Sequence, residues 1–156
     1  MSIDEIIDFI ESLGEVLTLR PGPGDGSPEI AWGDTFFYYA PDRQVPATGQ
    51  PFATIVTKDY PDDTGSDLNR PGVFRVNVNA GKEAFVRWTG HDPRDITDRG
   101  GDPSRLDTVL AHPVYGSAAW LAVVNPGRQT REPILELLRT AHDRARTRYQ
   151  RRIGSH

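Results

Sequence analysis

The sequence contains no cysteine, which removes disulfide stapling, thiolate nucleophiles and every cysteine-ligated zinc site. It lacks any run approaching the ~18 apolar residues of a membrane span. The first segment, MSIDEIIDFIESLG, mixes acids with its apolar residues and has no basic stretch before them, so it does not read as a signal peptide. A cytoplasmic location is the expectation, with no membrane partner. Lysine is almost missing, two residues against sixteen arginines, a bias read as compositional background. Several catalytic signatures are absent too: no G-x-G-x-x-G for a dinucleotide, no G-x-S-x-G nucleophile elbow and no H-E-x-x-H metal pair. PGPGDGSP at 21–28 is glycine-rich but lacks the lysine of a phosphate-binding P-loop, so it reads as a connecting loop. No cofactor and no metal site are expected.

What remains is ordinary globular composition, 37% hydrophobic and 26% charged over 156 residues, enough for one domain with one core. Residues 1–153 are expected to form that domain, with 154–156 a tag remnant. The net charge of −4 is unevenly spread. Residues 128–156 hold eight arginines against three acids, a surplus of five, which leaves −9 on residues 1–127.

Ile3, Ile6, Ile7, Ile10 and Leu13 recur at helical spacing, and Ser2 with Glu5 forms an S-x-x-E capping box, so the chain is expected to open with a helix. EVLTLR reads as a strand. EIAW and TFFYYA read as a hairpin about Gly33-Asp34, and FATIVT and GVFRVNVN supply two more strands. KEAFVRWTG has helical spacing, DTVLAHP a helical turn, and SAAWLAVVNP the pattern of a buried strand. A long helix is expected from about Thr130 to Arg152, with Ile134, Leu137, Leu138, Ala141 and Ala145 as its apolar stripe and Pro133 in its first turn. This order argues for an α+β two-layer sandwich, a mainly antiparallel sheet with the N- and C-terminal helices packed on one face.

The stretches AWGDTFFYYAPD, FATIVTKDY, FRVNVNAGKEAF and AHPVYGSAAWLAVVNPGRQTREPILELLRTAHDRAR together resemble an uncharacterised bacterial domain-of-unknown-function family. More distantly they are similar to the MmcQ/YjbR-like proteins, with their CyaY-like fold. The resemblance covers most of the chain and implies a compact α+β domain. It brings no catalytic residue to any position.

KDYPDDTGSD, residues 58–67, gathers Asp59, Asp62, Asp63 and Asp67 between two strands. It fails as an EF-hand from either start: Asp59 puts Thr64 sixth and Arg70 twelfth, and Asp62 puts Asp67 where glycine is needed. Asp, Gly, Ser and Pro each build turns for their own backbone reasons, so the loop is read as a solvated connection ahead of a magnesium or acid-base site. His91, with Asp92, Asp95, Asp98 and Arg99 near it, and Asp59 are the residues a small enzyme would use as acid or base. His112, before Pro113, reads as a capping or packing residue. Arg144, Arg148, Arg151 and Arg152 share much of one helical face, which favours a nucleic-acid contact, but a pI near 5.5 and the macrodipole of the helix argue against one.

The preferred site is a sheet face. Phe74, Val76 and Val78 alternate with Arg75, Asn77 and Asn79, so one side is apolar and the other polar. The polar side is expected to meet solvent, with Arg75 and Asn77 beside an aromatic neighbour. Either Phe37 with Tyr39 or Phe36 with Tyr38 joins them, and Trp120 is the other candidate. Such a surface binds a small ligand or a protein partner without catalysis, and an open face or edge allows a homodimer.

Overall fold

The computed structural model describes residues 1–46, 49–95 and 101–154. Asp98 and Arg99, weighed above, lie outside them, as do residues 155–156.

The isoleucine spacing at the N-terminus becomes helix α1 (Ile3–Ser12), which buries Ile6, Ile7 and Ile10. Its capping box closes as the sequence requires. Ser2 Oγ accepts from the Glu5 amide at 3.1 Å and Glu5 Oε1 from the Ser2 amide at 3.1 Å. Strands β1 (Val16–Leu19), β2 (Thr35–Tyr39), β3 (Ala53–Val56) and β4 (Arg75–Val78) follow, then helix α2 (Lys82–Thr89). Strands β5 (Leu110–Ala111) and β6 (Leu121–Val124) complete the sheet before the long helix α3 (Arg131–Gly154). The sheet order is β1-β2-β3-β4-β6-β5, and every neighbouring pair is antiparallel.

Two expected elements differ. EIAW is a 3-10 turn over Glu29–Ala31 rather than a hairpin strand, because both edges of β2 are already taken by β1 and β3. DTVLAHP supplies β5 instead of a helical turn: Asp107 sits in the left-handed region at φ +50, and Leu110 and Ala111 pair with Ala122 and Leu121.

Alternation places Phe37, Ile55, Val76, Val78, Leu121 and Val123 on one side of the sheet. There they join one apolar cluster with Ile6 and Ile10 of α1, Phe85 of α2, and Ile134, Leu137 and Leu138 of α3. All three helices therefore cover the same face, as a two-layer α+β domain requires.

The opposite face is not open, and here the sequence-based expectation fails. Arg75 is 1% exposed and Asn77 4%. The cover is the aspartate loop, which also ends its reading as a solvated connection. Leu68 of that loop is buried with Val56 and Val124 and packs against Tyr60 and Val73, folding the segment back over the sheet. One apolar residue in a polar stretch anchors the lid.

Asp107, which departs from the helical expectation, has a distant task. Its Oδ1 accepts from the Gly127 and Thr130 amides at 2.8 and 3.0 Å and from Thr130 Oγ1 at 2.6 Å, and its Oδ2 from the Gln129 amide at 3.0 Å. A carboxylate from another part of the chain thus satisfies amides just ahead of α3, where the helix dipole favours negative charge. Burial pushes the Asp107 carboxyl up, but the Thr130 hydroxyl and the three amides outweigh it and hold the group below its usual range. Asp107→Ala is expected to cost about 1–2 kcal/mol in a urea titration, while Asp107→Asn, which keeps an acceptor, loses less.

Candidate functional site

The sheet registers set a row of side chains on the helix-free face. Phe36 lies opposite Thr54, Thr54 opposite Asn77, and Asn77 opposite Ala122, with Arg75 opposite Val124 one step along. Over this row lies a cleft of about 600 Å³. Thr54, Arg75, Asn77, Asp63 and His112 form its floor, and Phe36, Tyr60, Tyr115 and Trp120 are among its walls.

Arg75 holds the floor together. Its Nε donates to Asn77 Oδ1 at 2.7 Å, and its Nη1 donates to Asp63 Oδ1 at 3.0 Å and to Ser66 Oγ at 2.9 Å. Nη2 donates to Asp63 Oδ2, which completes a two-pronged pairing of guanidinium with carboxylate. Nη2 also lies 3.1 Å from His112 Nε2. Asn77 passes the network on, its Nδ2 donating to Thr54 Oγ1 at 2.9 Å. Four of the five guanidinium hydrogens thus meet acceptors, and with the side chain 1% exposed the group is enclosed by protein rather than offered to a ligand.

His112 is caught between two demands. The amides of Val114 and Tyr115 both donate to its Nδ1 at 3.0 Å, which caps the turn after Pro113 as the sequence suggested. A neutral imidazole has one bare nitrogen. Two amides on Nδ1 assign the bare position there and the proton to Nε2, between the Arg75 guanidinium and Asp63 Oδ2 at 3.8 Å. Burial first, and then the Arg75 charge, push the pKa of His112 down to about 3 against the opposing pull of Asp63. Burial pushes the Asp63 carboxyl up, but the Arg75 hydrogen bonds and charge more than offset this and hold it below the usual carboxylate range. The floor therefore contains one carboxylate, one guanidinium and a neutral imidazole, with no net charge.

A second buried acid was not visible in the sequence, where Gly33-Asp34 looked like a hairpin turn. Asp34 is fully buried. Its Oδ1 accepts from Thr57 N and Oγ1 at 2.8 and 2.9 Å, and its Oδ2 accepts from the Tyr60 hydroxyl with Lys58 Nζ 3.1 Å away. Burial, then the Asp34 hydrogen bond and charge, push the Tyr60 phenol well above its ordinary range, so Tyr60 stays protonated. Asp34 thereby fixes the start of the loop whose later residues supply Asp63 and Ser66.

Of the residues singled out from sequence, Arg75, Asn77 and Trp120 meet at the cleft, with Asp63 on its floor and Asp62 among its lining residues. Tyr39 does not. It shares the helix side with Phe37 and packs edge-on against His142 and Tyr149 of α3, with ring centroids at 5.3 and 5.4 Å. Phe36 is the β2 aromatic that reaches the cleft, settling the register the sequence left open. Asp59 accepts from the Leu68 amide at 2.8 Å, closing its own loop, and His91 lies edge-on to Phe85. Neither reaches the cleft. Among the described residues, no three His, Cys, Asp or Glu side chains gather as a metal site, and no helix is long and apolar enough to cross a membrane.

Fold and cleft together define an α+β domain with a six-stranded antiparallel sheet, helices on one face and a loop-covered polar hollow on the other. The chain belongs to a family of unknown function, DUF6194, whose family model matches residues 1–154. No curated protein and no solved structure matches it. The distant likeness to MmcQ/YjbR-like proteins and the CyaY-like fold finds no support in these comparisons.

Breaking the buried pair from one side leaves an uncompensated charge. Arg75→Met is expected to cost about 3–5 kcal/mol in denaturant unfolding, and Arg75→Met combined with Asp63→Leu less than Arg75→Met alone. An Arg75 facing solvent, as the alternation alone suggested, would instead be removable at little cost to stability.

The histidine gives a pH signature. Its folded pKa of about 3 lies below the ordinary 6.5, so the unfolded chain takes up a proton first as pH falls. The stability contributed by the neutral ring is complete above pH 6.5 and is lost as pH falls toward 3. The His112 contribution to the slope within that window approaches about 1.4 kcal/mol per pH unit. His112→Asn, which keeps an acceptor for the Val114 and Tyr115 amides, is expected to flatten that slope by about one proton when unfolding free energy is measured against pH.

Proposed function

We propose that this chain is a non-catalytic binding domain that takes a small, flat, non-anionic ligand into the cleft on the helix-free face of its sheet. The observation that carries the reading is an aromatic-walled hollow above a floor whose charges are already paired. The volume of about 600 Å³ falls in the range of small-molecule sites, about 300–1,000 Å³, whereas a protein partner would meet a broader and shallower surface. Phe36, Tyr60, Tyr115 and Trp120 supply ring faces and edges for a planar group. Thr54 and the Asn77 amide supply directional hydrogen bonding.

Charge narrows the class. Arg75 is buried with its charge paired to Asp63 and four of its hydrogens already taken, and Asp62 at the cleft adds a carboxylate that repels an anion. Proton transfer is also poorly served, because the His112 Nδ1 lone pair is occupied by two amides and its Nε2 is enclosed beside Arg75. A reducing, cytoplasmic setting fits a chain without cysteine.

A panel of neutral, cationic and anionic aromatic fragments, followed by amide chemical shifts, tests this reading. Neutral or cationic fragments are expected to shift Thr54, Asn77, Tyr115 and Trp120. Ala118→Trp, which fills the hollow from an exposed lining position, is expected to abolish those shifts without lowering the melting temperature by more than a few degrees. Preference for anionic fragments, or binding that survives Ala118→Trp, would sink it.

A further inference from the structure

The arginines of α3 are not equivalent. Arg131 pairs with Glu5 at 3.3 Å, Arg139 lies over the Phe9 ring at 5.2 Å, and Arg146 pairs with Asp143. Arg144 and Arg148 have no ion pair or hydrogen bond among the described residues. These two, one turn apart, line a separate notch of about 100 Å³ with Arg152, Tyr39, Gln50 and Asn79.

Arg144 is seated rather than loose. Its guanidinium lies against the backbone of Gly81, where an added Cβ would come 2.5 Å from Arg144 Cζ. Gly81 also has φ +91, a conformation that side chains resist, so the position is suited to glycine on two counts. The seat brings one guanidinium to the wall of a hollow that a second enters from the next turn of the helix. An amide at Asn79 and a phenol at Tyr39 complete a lining rich in donors.

We infer that this notch binds the phosphate group of a small molecule. Planar guanidinium forks match the oxygens of a tetrahedral oxyanion, and two forks without acid partners supply the charge. The dimensions fit one phosphoryl group. A nucleic-acid strand needs a longer positive track, and the −9 carried by residues 1–127 repels a polyanion that a compact anion can reach past. The notch lies on the helix side of the sheet and does not depend on occupancy of the cleft.

Titration of the full chain with inorganic phosphate at constant ionic strength, read by amide shifts, tests the inference. Saturable shifts are expected at Asn79, Gly81, Arg144 and Arg148, with sodium chloride as the inactive control. The double variant Arg144→Gln/Arg148→Gln should weaken phosphate binding about tenfold or more. Arg144→Lys should fall between, since it keeps charge but loses the fork, and Arg146→Gln should match the parent. Unchanged melting curves establish that the variants remain folded. Non-saturating shifts, or equal loss in Arg146→Gln, would reduce the effect to diffuse surface charge and overturn the inference. Tighter binding of a single-stranded oligonucleotide than of phosphate, at equal phosphate concentration and with steep salt dependence, would overturn it in favour of a polymer.

Discussion

The helix-free half of this domain depends on a guanidinium taken out of water in the middle of a sheet. Arg75 stands on β4, a central strand, and its side chain cannot reach solvent past the loop above it. A charge so placed is tolerable only with a carboxylate and further hydrogen bonds around it, and the chain supplies these from separate places. Asp63 and Ser66 come from the loop after β3 and Asn77 from the same strand, while the His112 ring from the end of β5 closes against the guanidinium. Satisfying one side chain therefore fixes three segments relative to one another. Leu68 adds the apolar anchor and Asp34 the start of the same loop, so the lid is held at both ends and in the middle.

That arrangement decides what the cleft can recognise. A buried ion pair is weak evidence for stability, since apolar residues of similar volume often serve as well. Its more distinctive effect is to leave a floor that is polar and oriented yet neutral. Aromatic walls over such a floor favour shape and hydrogen-bond direction over charge. The positive charge that Arg75 withholds from solvent is available on the other side of the molecule, at Arg144 and Arg148. Gln50 and Pro51 line both hollows, so one short segment separates a neutral recess from a cationic one.

Much of the layout was legible because it rests on local rules. The capping box at Ser2 and Glu5, the isoleucine spacing and the alternation from Phe74 to Val78 each report a periodicity set by backbone geometry. Alternation placed Arg75 and Asn77 on one face of β4 but said nothing of what lies above them. Covering that face is a tertiary event, and the available trace was Leu68, a lone apolar residue in a polar loop. The side taken by Tyr39 was not legible, because two aromatic pairs alternate on β2 and nothing local says which pair meets the helices. Phe37 in the core fixes that choice only once α3 has docked. Asp34 was hidden by its own neighbour: Gly33-Asp34 has the composition of a tight turn, while its carboxylate is used 23 residues away at Thr57.

His112 shows how one side chain can join a local role to a distant one. As a cap it needs only the amides of Val114 and Tyr115, and an asparagine could serve there. An imidazole is longer and carries a second nitrogen, which lets the same residue reach the ion pair at Arg75 and Asp63. With the two amides taking the lone pair of Nδ1, the other nitrogen presents a hydrogen toward Asp63, on the carboxylate side of the pair. The geometry of the turn at residues 112–116 is thus coupled to the charge distribution beneath the cleft. Tyr115, whose amide helps set the ring, lies tilted against it at 5.0 Å and also lines the hollow. A ligand that displaced the Tyr115 ring would therefore act on the cap of the turn and, through His112, on the pairing of Arg75 that keeps the floor neutral.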